Sequence, residues 1–342
     1  MTRKKCLSSV LAVCAVVLTA ALFASGPAFA ADQKFKAAMV TDAAGLGDQS
    51  FNDTAWAGLK RLEEEFGTQI SVVESTEMTQ YVTNLLRLAD LDYDMIVAVG
   101  SLLEDAIEDV ADRRPNTNFL MIDSVAQGDS VLSVLYREQE GSFLAGVAAG
   151  LMTKGNRVGF IGGMDVPPVE RWRVGFEAGV KTVNPDCTVV VTFIEDFNDP
   201  NKGKQLALTQ YNFGIDIIFA VGGQSGLGVI HAAEEKGEGF YVIGSDSDQN
   251  HLAPKNVLAS VVKAVDMSIY EAFAILRENG RFSGEVLSHG LPEGGMALAT
   301  TGDLLPEEVL AEVEYWQERV LNGEVVVPSN LNELKSFAAP SK

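Results

Sequence analysis

Short runs that are apolar at nearly every position recur along this chain, each followed by a longer stretch with a helical stripe. The first runs cover residues 35–40, 70–74, 95–100, 118–123 and 130–136. Strands buried on both faces of a parallel sheet read this way, whereas half-solvated strands alternate. Between them, positions such as Tyr81, Leu85, Leu88 and Ala89 repeat at helical spacing. After residue 136 the alternation restarts, with helices expected over 139–153, 169–182, 202–213 and 226–236. Strands are expected over 157–163, 188–195, 215–221 and 240–244. Two successive βαβα series predict an α/β protein with two doubly wound parallel sheets and right-handed crossovers. The 342 residues exceed what a single core usually covers, which agrees with two lobes.

The end of the chain is less regular. A strand is expected over 257–263, a helix over 267–278 and short strands over 285–290 and 296–299. Pro306 stands near the start of a helix ending about Gly323, where a first-turn proline is tolerated. This last third is expected to pass between the lobes and add pieces to both. The boundaries drawn are residues 35–136 with 264–293 for the N-terminal lobe and 137–263 with 294–335 for the C-terminal lobe.

Residues 1–30 read differently. Arg3, Lys4 and Lys5 precede an apolar run over 7–23, and Ala28-Phe29-Ala30 offers a small-x-small cleavage site before Ala31. These are the parts of a secretory signal, so the mature protein is expected to be exported to the periplasm after cleavage behind Ala30. Loss of three cations takes the formal net charge from −21 to −24. Such a surface repels phosphate backbones, which argues against a nucleic-acid partner. Hydrophobic residues at 47% and charged residues at 21% fit a globular protein rather than a disordered one. Cys6 and Cys14 fall in the signal, leaving Cys187 alone and no internal disulfide. Cys14 makes a poor lipidation site, because the apolar run continues past it.

Polar or glycine-rich groups follow most strands: Asp42, Gly100-Ser101, Asp123-Ser124, Gly162-Gly163-Met164-Asp165, Asp196-Phe197-Asn198-Asp199, Gly222-Gly223-Gln224-Ser225-Gly226 and Ser245-Asp246-Ser247-Asp248. Ligands bind beyond the carboxyl ends of strands in open α/β sheets, so two such edges facing each other would converge on one ligand. The stretch 41–58 is the densest of these, with Asp42, two glycines, Ser50, Phe51, Asn52 and Trp56 between a strand and a helix expected at 56–62. It suits a small polar ligand with a flat apolar part. The competing reading is an ordinary loop in which Asn52 or Asp53 caps the helix.

Thr41-Asp42 through Asp48-Gln49-Ser50-Phe51-Asn52 resembles the opening motif of the basic membrane protein family, the purine nucleoside receptor A-like group of ABC-transporter substrate-binding proteins. The resemblance continues at 196–204, at Gly244-Ser245-Asp246-Ser247-Asp248-Gln249, at 260–266 and at Gly290-Leu291, spanning about residues 36–323. It implies a type I periplasmic-binding-protein fold, with two lobes, a hinge and a purine nucleoside in the cleft. It further implies that Asn52 and Asp123 bond the base edge and that Asp246 and Lys263 bind the ribose hydroxyls. Phe51, Phe197, Phe176 and Trp56 would pack at the base, and Gly222 and Gly223 would let the backbone approach. Asp42 and Ser50 would support the loop or touch the ligand.

These roles are physically sound, since an ionised carboxylate accepts both hydroxyls of a vicinal diol and aromatic rings cover a flat base. The competing reading of Asp246 is a plain turn. The implied partner is an ABC permease in the inner membrane; a monomer without metal, cofactor or catalytic residues is expected. Ala43-Ala44 and Gln49 depart from the family pattern, which leaves a flavin or another nucleobase-like ligand open. Trp172 reads as lobe packing or surface. A nucleoside-cleaving enzyme is the competing class, although His231, His251, His289 and Cys187 stand in no nucleophile motif. The glycines at 222–226 also lack the lysine of a phosphate loop.

Overall fold

Both series of alternating elements close into six-stranded sheets in the computed structural model, which describes residues 34–338. The expected signal over 1–30, with its cleavage site, Cys6 and Cys14, lies outside the described residues. The first series runs β1 (Lys36–Val40), α1 (Phe51–Phe66), β2 (Gln69–Val73), α2 (Tyr81–Ala89), β3 (Met95–Val99), α3 (Glu104–Arg113), β4 (Phe119–Ile122) and β5 (Val131–Tyr136). Then α4 (Glu138–Met152) leads to β6 (Arg157–Gly162), α5 (Pro167–Val183), β7 (Thr188–Phe193), α6 (Pro200–Asn212), β8 (Ile217–Val221), α7 (Gln224–Lys236), β9 (Tyr241–Asp246) and β10 (Val257–Lys263). The chain finishes with α8 (Val265–Asn279), β11 (Val286–His289), β12 (Met296–Ala299), α9 (Glu307–Leu321) and α10 (Leu331–Ser336).

The first sheet has the order β11-β5-β4-β3-β1-β2 and the second β12-β10-β9-β8-β6-β7. All pairings are parallel except β12 against β10. Central strands such as β3 (MIVAV) and β8 (IIFAV) are buried at every residue, as their unbroken apolar runs require. Edge strands β2 and β7 are only half-buried and carry Gln69, Ser71, Thr188 and Thr192. Helices α4 and α5 touch backbone to backbone: a Cβ on Gly146 would stand 2.2 Å from the Phe176 carbonyl oxygen.

The chain passes between the sheets three times: from β5 through α4, from β10 through α8, and from β11 to β12. Helix α8 packs on α1 beside the first sheet, while α9 and α10 pack on α4 and α5 beside the second. The described residues from Phe35 onward form one compact unit. The carboxyl ends of the strands in the two sheets therefore meet, joined by side chains that reach from one to the other.

Two local features differ from the sequence reading. Helix α1 begins at Phe51 rather than 56. The extra turn forms because the Asp48 carboxylate accepts the backbone N–H groups of Ser50, Asn52 and Asp53, which would otherwise be orphaned at the helix start. Helix α10 was not expected; Asn330 caps it by accepting from the backbone N–H groups of Asn332 and Glu333.

Candidate ligand-binding cleft

The loop between β1 and α1 is built from carboxylates facing inward. Asp53 accepts from the N–H groups of Gly47 and Gln49, Glu74 from Leu46, and Asp42 from Ala44. With its amides satisfied within its own lobe, the loop turns carbonyls toward the other. Asn198 donates to Ala43, Gln224 to Ala44 and Leu46, and Ser247 and Gln249 to Gln49. The loop is thereby fastened across the cleft by four side chains from three segments of the second lobe.

Beneath it lies a cavity walled by residues of both lobes. Asp42, Asp48, Asn52 and Asp123 line it from the first lobe, and Asp246 and Lys263 from the second. Phe51, Trp172 and Phe197 supply aromatic walls. Gly163 makes room for one of them: a Cβ there would lie 2.2 Å from the Phe197 ring. Asp123 and Asp246 both hold left-handed backbone, at φ 75° and 66°. Non-glycine residues seldom adopt that conformation, and such strain collects at functional sites.

The polar groups form one connected set. Asn52 donates its amide to Asp42 Oδ1 at 2.9 Å and to Asp48 Oδ2 at 3.3 Å, so its Oδ1 is the atom left over. That oxygen and Asp123 Oδ1 are buried and have no partner within the protein. Lys263 Nζ donates to Asp123 Oδ2 at 2.6 Å and lies 3.1 Å from Glu138 Oε1. The same ammonium stands 4.9 Å from the ring centroids of Phe51 and Tyr136 and 5.8 Å from Trp172. Glu138 is in turn held by Arg171, whose Nε donates to Oε2 at 2.5 Å.

Burial raises the carboxyls of Asp42 to about 6, Asp48 to about 7 and Asp123 to about 6. Opposing it are the bonds from Asn52 and Ala44 to Asp42, three backbone N–H groups on Asp48, and the Lys263 charge beside Asp123. Asp246 is raised by the same burial against Lys263 and Ser50. Burial alone would depress Lys263, but the charges of Asp123, Glu138 and Asp246 outweigh it, so its ammonium is held above the usual range.

Nine of the residues singled out from sequence share this cavity: Asp42, Phe51, Asn52, Asp123, Phe197, Gly222, Gly223, Asp246 and Lys263. Three do not line it. Ser50 sits behind the wall and donates to Asp246 Oδ2 at 2.8 Å. Trp56 lies on α1 and packs on the core. Phe176 is fully buried under the second sheet against Phe219, 5.2 Å between centroids, because the close α4–α5 contact turns its face of α5 inward. The tryptophan of α5 that does reach the cavity is Trp172, one turn earlier. Neither Asn52 nor Asp53 acts as the N-cap; Ser50 occupies that position and Asp48 supplies the acceptors.

Sequence reasoning passed over Asp48, Glu138 and Arg171. The D-x-S-F-N spacing was the available signal for Asp48, whereas Glu138 and Arg171 look like ordinary helix-surface charges until the lobes are brought together. Among the described residues, no group of three or more His, Cys, Asp and Glu side chains is placed to hold a metal ion. Nor is any described helix long and apolar enough to cross a membrane.

Two doubly wound sheets with a cavity between their carboxyl edges are the architecture of ABC-transporter solute-binding proteins, the components that work with a membrane permease. The chain belongs to the family described as ABC transporter substrate-binding protein PnrA-like, whose profile matches residues 35–331. It is 36% identical over 315 residues to the CD4+ T-cell-stimulating antigen of Listeria monocytogenes, covering 86% of this chain and 88% of that protein. It is 33% identical over 307 residues to basic membrane protein A of Borreliella afzelii, covering 88% and 94%. Among solved structures, an ABC transporter solute-binding protein from Aeropyrum pernix K1 superposes with a TM-score of 0.79 at 28% identity, covering 88% of this chain and 96% of that one.

Proposed function

We propose that this protein is the extracytoplasmic receptor of an ABC importer and closes its two lobes on a purine nucleoside. The observation that carries the reading is the division of one cavity into two kinds of wall. Phe51, Trp172 and Phe197 offer apolar faces, while Asn52, Asp123, Asp246 and Lys263 stand among them as polar groups. A purine covers the aromatic faces with its own. The unpartnered oxygens of Asn52 and Asp123 match N–H donors on a base edge. Asp246 accepts from the ribose diol and Lys263 donates to a ribose oxygen. The surplus of carboxylates over accessible cations disfavours phosphorylated ligands, so a nucleoside suits the site better than a nucleotide.

The reading includes export to the periplasm behind a signal cleaved after Ala30, delivery of the ligand to an inner-membrane permease, action as a monomer and no catalysis. Thermal-shift screening of the purified mature protein against nucleosides, free bases, flavins and sugars tests the ligand, alongside mass spectrometry of whatever co-purifies. Stabilisation by adenosine, guanosine or inosine is expected. A shift with a sugar or a flavin and none with any nucleoside would overturn the assignment. Release of free base from inosine would point to hydrolysis instead.

A further inference from the structure

Glu138 is fully buried, does not line the cavity, and touches both cations of the site. Its Oε2 accepts from Arg171 Nε, and its Oε1 lies 3.3 Å from Arg171 Nη2 and 3.1 Å from Lys263 Nζ. Lys263 is 1% exposed and also donates to Asp123. Removing four charges from water is costly, and such clusters are seldom the cheapest way to stabilise a core. This one occupies a particular place in the fold. Glu138 opens α4, the first segment between the sheets, and Lys263 closes β10, just before the second. Asp123 lies at the end of β4 in the other sheet. The cluster therefore ties two hinge segments and both lobes to the one ammonium group that faces the cavity.

We infer that Glu138, backed by Arg171, is a positioning residue for ligand binding. It holds the Lys263 ammonium between the hydrogen bond to Asp123 and the ion pair with Glu138, so that an N–H is left for a ligand oxygen. An ammonium on a four-carbon stem has no preferred direction of its own. Phe51, Tyr136 and Trp172 crowd it on the apolar sides, and the two carboxylates set its rotation. Arg171 prevents Glu138 from swinging, because its guanidinium engages both carboxylate oxygens. The inference rests on the nucleoside reading for the identity of the ligand oxygen, but not for the geometry of the ammonium.

A double-mutant cycle tests it, with affinities for adenosine, guanosine and inosine measured by calorimetry on wild type, Glu138→Gln, Lys263→Met and the double variant. Glu138→Gln is expected to weaken binding about tenfold or more, the range for a lost bond to a charged group. In the Lys263→Met background the same change should have no further effect. Independent, multiplying losses, or an unchanged affinity in Glu138→Gln, would overturn the role. Glu138→Asp keeps the charge, displaces it by one methylene, and should show an intermediate loss even if the glutamine variant folds poorly. The second readout needs no ligand. The Lys263 ammonium should give a slowly exchanging 1H–15N signal in wild type that is lost or broadened in the Glu138 variants. Its persistence unchanged would contradict the positioning role. Failure of wild type to bind any of the three nucleosides would instead count against the ligand assignment.

Discussion

At the scale of single residues, the cavity leaves unpartnered acceptors on Asn52 and Asp123 beside the ammonium of Lys263. Asn52 shows this best: both of its donor contacts go to aspartates, leaving its oxygen unpartnered. On the proposed nucleoside reading, Asp246 is the residue on which ribose recognition depends most. Asp246→Ala should reduce ribonucleoside affinity at least a hundredfold while shifting the melting temperature little, because the side chain packs little apolar surface. Calorimetry with inosine and a thermal melt on the same preparation check both halves. Ser50→Ala, which removes the donor to Asp246 from behind, should cost several-fold in affinity by the same assay. Gly163→Ala is expected to displace the Phe197 ring, since the new methyl would occupy the ring's position. Its effect should fall equally on every purine and be read as a uniform loss of affinity across the three nucleosides.

At the scale of the element, the loop between β1 and α1 works as a fastened edge. Its amides are satisfied by Asp42, Asp48, Asp53 and Glu74. Its carbonyls at positions 43, 44, 46 and 49 accept from Asn198, Gln224, Ser247 and Gln249 across the cleft. These bonds form only when the lobes are together, so they favour the closed form without touching ligand. Gln224→Ala removes two of them. At about 1 kcal/mol each, the loss should weaken binding about thirtyfold. The change should appear in the dissociation rate and apply equally to all three nucleosides. Stopped-flow measurement of tryptophan fluorescence separates this outcome from a change in selectivity.

At the scale of the whole molecule, stability and pH are linked through the buried carboxyls. Asp42, Asp48 and Asp123 have folded values near 6, 7 and 6, above the ordinary carboxylate value of 3.8. A raised folded value means the folded state binds the proton more tightly than the unfolded chain does. The resulting stabilisation is complete below about pH 4 and is lost as the pH rises through the range from 6 to 7. Ligand-free protein should therefore melt at a higher temperature at pH 5.5 than at pH 8. Differential scanning calorimetry at constant ionic strength checks the sign, and a flat or opposite trend would contradict it. Closure is the other molecular property. Small-angle scattering should give a smaller radius of gyration with nucleoside than without, as expected for hinge motion about the three connecting segments.

Much of this architecture was legible in advance for a local reason. A strand buried on both faces must be apolar throughout, and β3, β4 and β8 advertise that in their own residues. A cleft residue that follows directly on a strand, such as Asp42, Asp123 or Asp246, inherits its place from the strand, so position in the chain was enough to nominate it. The start of α1 differs from the sequence reading because the acceptors for its first amides come from Asp48, two residues before the N-cap Ser50. Phe176 was expected at the ligand but lies in the core, and Trp172, expected in lobe packing, packs there and also lines the cavity; both lie on α5, and only the way α5 packs decides which one reaches the cavity. Glu138 and Arg171 could not be found at all from a single chain of letters. Their meaning depends on contacts between residues 138, 171 and 263, which are distant in sequence. Local propensity and burial pattern determined the elements and their order; convergence of charges across two lobes is a property of the packed molecule, and only the tertiary structure decided it.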